Sequence, residues 1–219
     1  MSYKVDLHTH SYGSPDGGLR VRDYRYFLEN KLLDYIAITD HDSIETAVKI
    51  KAELGELGGR IIVGEEITTT KGELIGLYLT KPIKSGQSAV VTAREIKAQG
   101  GLVYVPHPFR KVRHGLSDQN LTEISSDVDI IEAYNGRSLL HQYASAAFGW
   151  AHPYWPYVAV ASSSDAHGRF GWGRDYSLIT ASPTPGTLVS QLAHAEFSKR
   201  TVGFGVLYPK LNRLKKAVR

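Results

Sequence analysis

The sequence predicts an α/β protein built on a mainly parallel sheet or barrel, with its polar chemistry gathered where the strands end. Two observations predict it. Short apolar runs alternate along the chain with segments of helical period, the order that produces βαβ units. Five short strings, Asp6-Leu7-His8-Thr9-His10, Thr39-Asp40-His41-Asp42, Gly64-Glu65-Glu66, Pro106-His107-Pro108 and Ser164-Asp165-Ala166-His167, each place ligand-type residues just after such a run. In parallel α/β architectures, active sites form at the carboxyl ends of strands.

The elements follow in order. Val5 to His8 reads as the first strand, and Val21 to Lys31 as the first helix. Tyr35 to Thr39 is the second strand. A helix over Ile44 to Leu57 follows, opened by Asp42 with Glu45 three residues on as a capping pair and closed by Gly58-Gly59. Strands over Arg60 to Val63 and Leu74 to Leu79 precede a helix over Ala89 to Gln99. Leu102 to Val105 and Ile130 to Ala133 read as strands, and Leu139 to Gly149 as a helix. The aromatic, proline-rich stretch from Trp150 to Tyr157 reads as an irregular loop. Tyr157 to Ala161 and Tyr176 to Ile179 complete the strands, and Thr187 to Ala195 the helices. With no repeat or long linker, residues 1–219 form a single expected domain.

Composition narrows the chemistry. The 219 residues contain no cysteine, which removes disulfides, thiolate metal sites and cysteine nucleophiles together. The formal net charge of +4 is uneven: a basic tail over about 199–219 carries Lys199, Arg200, Lys210, Arg213, Lys215, Lys216 and Arg219 and no carboxylate. Leu207, Leu211, Leu214 and Val218 recur there at helical spacing, so the expectation is a helix docked by its apolar stripe with its basic face in water, ahead of the alternative of a nucleic-acid-binding arm. The chain enters its first strand without a charged leader or long apolar span, so a cytoplasmic protein without membrane contact is expected.

His8 and His10 alternate and so face the same side of an extended strand, and Asp165 and His167 do likewise. Six strand ends deliver polar groups: His8 and His10; Asp40 and His41; Glu66; His107; Asn135; and Asp165 and His167. That many coincidences point to a metal site using several ions rather than to packing. Glu65 alternates to the opposite face from Glu66. Asp40 reads as an orienting residue and Asp42 as the helix cap. His114, His152 and His194 lack partners at ligand spacing.

These strings resemble the motifs of the PHP (polymerase and histidinol phosphatase) superfamily, in its small stand-alone form. Asp6-Leu7-His8-Thr9-His10-Ser11 resembles the first motif, Thr39-Asp40-His41-Asp42 the second and Gly64-Glu65-Glu66-Ile67 the third, with Pro106-His107-Pro108 and Ser164-Asp165-Ala166-His167 as later ones. The likeness runs from about residue 4 to residue 180. It implies a distorted (β/α)7 barrel with two or three divalent ions at the C-terminal ends of its strands. The ligands it implies are His8, His10, Asp16, His41, Glu66, His107, Asn135, Asp165 and His167, with His141 as a substitute for Asn135. The turn holding Asp16, Ser11-Tyr12-Gly13-Ser14-Pro15-Asp16-Gly17, is one residue longer than the family's usual form.

A donor set of His, Asp and Glu suits zinc, manganese or iron. The implied activity is phosphoester hydrolysis by metal-activated hydroxide, with Glu66, Asp165 and His167 as catalytic residues and Glu66 bridging two ions. Arg137 is the first choice for a clamp on the substrate phosphate, followed by Arg169, Arg110 and Arg113. The expected partner is a small phosphorylated metabolite or nucleotide, with Tyr134, Phe170 and Trp172 available to stack on a base. Trimming of nucleic-acid ends ranks second. Amide hydrolysis on a related metal barrel, or a non-catalytic interaction module, are the remaining classes, and the oligomeric state is open.

Overall fold

The structure, a computed structural model, describes residues 2–110, 114–138 and 143–218. Among the described residues nine strands form one sheet: β1 (Tyr3–Asp6), β2 (Tyr35–His41), β3 (Ile61–Thr69), β4 (Gly72–Leu77), β5 (Leu102–Val105), β6 (Ile130–Asn135), β7 (Ala159–Ser163), β8 (Asp175–Ile179) and β9 (Glu196–Lys199). Their order is β7-β6-β5-β4-β3-β2-β1-β8-β9. The sheet curls until its ends nearly meet. A parallel bridge joins Thr9 to Ala166, and Ser164 N donates to Asp6 Oδ1 at 3.0 Å, so the segment after β7 lies beside the segment after β1. The result is the distorted α/β barrel.

The sheet is less parallel than the sequence reading. β1, β2 and β3 are parallel, as are β5, β6 and β7. β4 runs antiparallel to both β3 and β5. Only Thr70 and Lys71 separate β3 from β4, and a connection that short can only reverse the chain, because a parallel return needs a crossover. β8 and β9 add a second antiparallel margin beside β1.

Two apolar clusters follow from strand alternation. Inside the barrel pack Val5, Leu7, Ala37, Ile62, Ile75, Leu77, Leu102, Tyr104, Ile130, Ala159 and Ala161. Outside it, α1 (Val21–Glu29), α2 (Glu45–Glu53) and α3 (Ala89–Ala98) bury Tyr24, Phe27, Ala47, Ile50, Ala93 and Ile96 against residues of the opposite parity such as Ile36, Ile38 and Val63. Period two also carries the interior line upward from apolar to polar. Ile62 leads through Gly64 to Glu66, Ala37 through Thr39 to His41, and Ile130 directly to Glu132.

Several expected elements differ in detail. Asp42 does not cap α2: its φ is +52°, and its carboxylate instead accepts from the Thr68 backbone N–H at 2.8 Å and the Thr68 hydroxyl at 3.1 Å. α2 also stops at Glu53, and a 3₁₀ turn over Gly55–Arg60 replaces the last expected helical turn. Of the helix expected over Leu139 to Gly149, the described part is α5 (Ala144–Ala151). His141 and Arg113 lie outside the described residues. Short helices α4 (Asp118–Glu123) and α6 (Leu188–Leu192) complete the set before the tail.

The tail does form a helix, α7 (Tyr208–Ala217), but it docks by the opposite face. Pro209 and Asn212 are buried, whereas Leu211 is 45% exposed, Leu214 58% and Val218 89%. Asn212 Nδ2 donates to the carbonyls of Asp16 and His167 at 2.8 and 2.9 Å, and Lys216 Nζ to the carbonyls of Tyr12 and Ser14. The partners presented by the barrel rim are backbone oxygens and a carboxylate, so cations and an amide seat the helix. Among the described residues, no helix is long and apolar enough to cross a membrane.

Candidate metal centre

His8 and His10 follow β1 and turn their Nε2 atoms toward each other, 3.1 Å apart. Their outer nitrogens are held from behind. His8 Nδ1 meets Glu132 Oε1 at 3.2 Å, and His10 Nδ1 meets Ser14 Oγ at 3.1 Å, contacts that fix ring orientation and leave each Nε2 for the centre. Glu132 is itself anchored by the Tyr104 hydroxyl at 2.8 Å and by the His107 backbone N–H at 2.6 Å.

Glu66 sits at the focus. Its Oε2 lies 3.1 Å from His10 Nε2, 3.3 Å from His41 Nδ1 and 3.4 Å from His8 Nε2, while Oε1 lies 2.9 Å from His107 Nε2. Burial opposes its charge, but His8 and His41, with further contacts to His10 and His107, hold its carboxyl well below the usual range. For His8 burial likewise opposes protonation. Glu66, Asp165 and Glu132 outweigh it and hold the imidazole well above its ordinary value.

Asp165 enters from the segment after β7 with φ +51°, in the left-handed region that a non-glycine residue occupies only under constraint. Its Oδ1 lies 3.6 Å from His10 Nε2 and 3.8 Å from His8 Nε2. The expected strand alternation of Asp165 and His167 therefore gives way to a turn, in which His167 Nδ1 donates to the Asp165 carbonyl at 2.9 Å and presents Nε2 to Asp16 Oδ1 at 3.4 Å. Asp16 reaches the site despite its longer turn. Its Oδ1 is also 3.7 Å from His41 Nε2, and Gly17 beside it permits the approach, since a Cβ there would meet the Ser11 carbonyl at 2.0 Å. Asp40 braces this turn through the Ser11 N–H at 2.6 Å and the Ser11 hydroxyl at 2.5 Å.

Among the described residues, four overlapping groups could each hold a divalent ion: His10, Asp16, His41 and His167; His8, His10 and Glu66; His8, His107 and Asp165; and Glu66, Glu73 and His107. The donors fit such ions. Bonds of about 2.0–2.2 Å to one metal place neighbouring ligand atoms roughly 3–3.5 Å apart, close to the spacings around Glu66. Asp16 Oδ1 and His167 Nε2 are buried without a hydrogen bond, which a shared cation would satisfy.

Some expected roles change. Asn135 is buried, but its Nδ2 donates to Glu132 Oε2 and Asp165 Oδ2 at 2.8 and 3.2 Å, and its Oδ1 accepts from the Arg137 N–H at 3.0 Å. The amide thus orients the carboxylates from beside the centre. Arg137 does face the centre, with Nη1 3.3 Å from Asp165 Oδ1. Arg169 does not. It packs over Tyr26 at 4.8 Å and pairs with Asp23 at 3.5 Å. Trp172 is no stacking platform, because it is buried against Phe27 with its Nε1 donating to Asp6.

Four residues at the site were passed over by the sequence reading. Glu132 orients His8, and Glu73 lies 3.7 Å from His107 and 3.9 Å from His41. Arg213 Nη2 donates to Asp16 Oδ2 at 2.8 Å, and His114 lines the same cleft. Alternation could have found Glu73, which shares parity with Ile75 and Leu77 of the barrel interior. The expected strand began at Leu74 and left it out.

The chain matches the PHP domain family over residues 6–152. It belongs to that family. A relative, an uncharacterized protein of Methanocaldococcus jannaschii, is 33% identical over 151 residues, covering 64% of this chain and 88% of its own. A second uncharacterized protein of the same organism is 31% identical over 182 residues, covering 79% of this chain and 69% of its own. Among solved structures, this PHP domain resembles a two-domain protein containing a predicted PHP-like metal-dependent phosphoesterase from Bacteroides vulgatus. The TM-score is 0.69 at 19% identity, over 97% of this chain and 70% of that one.

Proposed function

We propose that this PHP-domain protein is a metal-dependent phosphoesterase acting on a small phosphorylated metabolite or a nucleotide. The carrying observation is a cleft of about 200 Å³, lined by Asp16, His41, Glu66, Glu73, His107, Asp165 and His167 and edged by the guanidinium groups of Arg137 and Arg213. It joins ligand-type side chains to groups that bind phosphate oxygens bidentately.

Divalent ions bound there would supply a water acidic enough to ionise near neutral pH and positive charge beside the phosphate oxygens. The chain's own residues do the rest. Glu132 and Ser14 hold His8 and His10 in one orientation, and Asn135 holds Asp165, so the centre needs little rearrangement when substrate enters. Arg137 and Arg213 approach from different elements, one following β6 and one on α7, and each can turn from its carboxylate to a phosphate oxygen as charge moves to the leaving group.

The nucleotide reading draws support from a second cleft of about 340 Å³ that shares His167 with the first. Arg20, Arg22, Arg169, Lys215 and Lys216 line it with Tyr12, against the single carboxylate of Asp23. The same basic cleft favours end trimming of short nucleic acids as the second reading. A larger groove of about 830 Å³ along α1 contains none of the residues of the metal centre.

The test is phosphate release by metal-reconstituted protein from a panel of phosphomonoesters, cyclic nucleotides, nucleoside bisphosphates and short oligonucleotides. The expected result is turnover of a mononucleotide or small phosphomonoester that stops on chelation. Cleavage confined to oligonucleotides would favour the second reading, and amide hydrolysis without phosphate release would overturn both.

A further inference from the structure

We propose that the outward face of α7 is a docking surface for an anionic lipid bilayer, on which the helix lies flat. The proposal is independent of the metal centre and of its substrate. Three observations carry it, and the first is a continuous apolar stripe. Residues three apart eclipse in a 3₁₀ turn, so within Gly203–Leu207 the side chain of Phe204, 80% exposed, stands in line with that of Leu207. Helical spacing continues the line through Leu211, Leu214 and Val218, all exposed. Apolar surface gathered into one exposed line marks an interaction site, where scattered leucines would need no explanation.

The second observation is charge. The helical turn sets Lys210 on one flank of the stripe and Lys215 on the other, both exposed, and residues 197–219 hold no Asp or Glu. Two copies meeting stripe to stripe would set lysines against lysines, so a second copy of this chain is a poor occupant and a negative surface a good one. The third observation is shape. Pro209 and Asn212 bury the opposite face against the barrel and leave the stripe as a ridge. A partner helix docks into a groove, which this face does not offer, whereas a bilayer interface yields around a ridge while flanking lysines reach the lipid phosphates. The ten residues of α7 rise about 15 Å, half of a hydrocarbon core of about 30 Å, so the helix does not cross it. The expected lack of membrane contact rested on the absence of a leader and of a long apolar span, and a helix lying in the interface needs neither.

Co-sedimentation of the whole chain with vesicles tests this, using phosphatidylcholine alone and phosphatidylcholine with about 30% phosphatidylserine. Partition should be at least about 10-fold stronger on the anionic vesicles and should weaken at high salt, which screens the lysines. The double variant Leu211→Ser, Leu214→Ser should lose at least about 10-fold of that partition. Lys210→Gln with Lys215→Gln should remove most of the preference for phosphatidylserine, and circular dichroism establishes that each variant is folded. Absence of wild-type binding to both vesicles would overturn the proposal and leave the stripe to a protein partner. Equal partition onto the two vesicles, or binding that the leucine pair does not affect, would overturn it as well. Sedimentation equilibrium reads the competing occupant: a dimer dispersed by the leucine variant, in protein that ignores vesicles, would assign the stripe to a second copy of the chain.

Discussion

The rim of the barrel and the helix that caps it present opposite chemistry to one cleft. The rim offers imidazoles and carboxylates on strand ends, with His10 stacked on His41 at 4.7 Å and on His167 at 4.1 Å, and with His10 held from behind by Ser14 and His167 by the Asp165 carbonyl. The cap offers cations from a surface helix, and Arg213 is 65% exposed although it reaches Asp16. Rim positions are fixed by the sheet, whereas the cap is seated by a few polar contacts. Changes at the rim should therefore remove activity, and changes at the cap should tune it.

The largest effect belongs to the rim. Glu66→Gln and Asp165→Asn keep side-chain shape and remove charge at the focus, and should lower turnover or metal content at least about 100-fold, the scale of losing a group made for the transition state. Near-wild-type activity in either variant would break the contrast at its strong end.

Next comes the cap. The sequence placed Arg213 and Lys216 in solvent, which predicts that neutralising the tail spares a small substrate. The structure reverses that expectation, because Arg213 pairs with Asp16 and Lys216 holds the Tyr12 and Ser14 carbonyls. Arg213→Gln should raise KM for a small phosphoester about 10-fold with a smaller change in kcat, as expected for losing one charge-assisted contact. An unchanged KM would return Arg213 to the surface.

This reversal marks where the sequence is legible. The strand-end strings are local: His8 and His10, His41, Glu66, His107, Asp165 and His167 each follow an apolar run that fixes the direction of its neighbours. Asp16 came from the family resemblance alone, since its longer turn carries no apolar run to fix its direction. The antiparallel β4 was less legible, because its short run hid Glu73 in front of Leu74. The docking face of α7 depends on partners far off in sequence, such as Asp16, which lies 196 residues before Asn212. Nothing in the spacing of Leu207, Leu211, Leu214 and Val218 shows that the surface awaiting them is made of carbonyl oxygens.

The joint between rim and cap can be probed by pH. Asp175 on β8 accepts from the Thr201 N–H at 3.2 Å, at the segment leading to α7, and its Oδ2 is buried without a partner. Burial, opposed by the Thr201 contact and aided by Asp6, pushes its carboxyl up to about 7. A pKa raised in the folded state gives stability that is present below the unfolded value of 3.8 and lost as pH rises through about 7. Asp175→Asn should therefore flatten the fall in Tm between about pH 4 and pH 7 and leave the variant the more stable protein at pH 8. Parallel Tm curves for the two proteins would show that this carboxyl is not the titrating group.

The smallest effect separates the two faces of α7. If the apolar stripe were docked, removing a leucine from it would cost about 2–5 kcal/mol, the range for emptying a packed core position. In the structure, Leu211 and Leu214 look outward while Asn212 and Pro209 face the barrel. Leu211→Ser and Leu214→Ser should then each change unfolding free energy by no more than about 0.5 kcal/mol, as for ordinary surface positions. Asn212→Ala, which abandons the carbonyls of Asp16 and His167, should cost about 1–3 kcal/mol, since two buried acceptors lose their donor. Denaturant titration of the three variants ranks them directly. A larger loss at the leucines than at Asn212 would mean that α7 docks by its apolar stripe after all, and that the cations of the cap do not face the cleft.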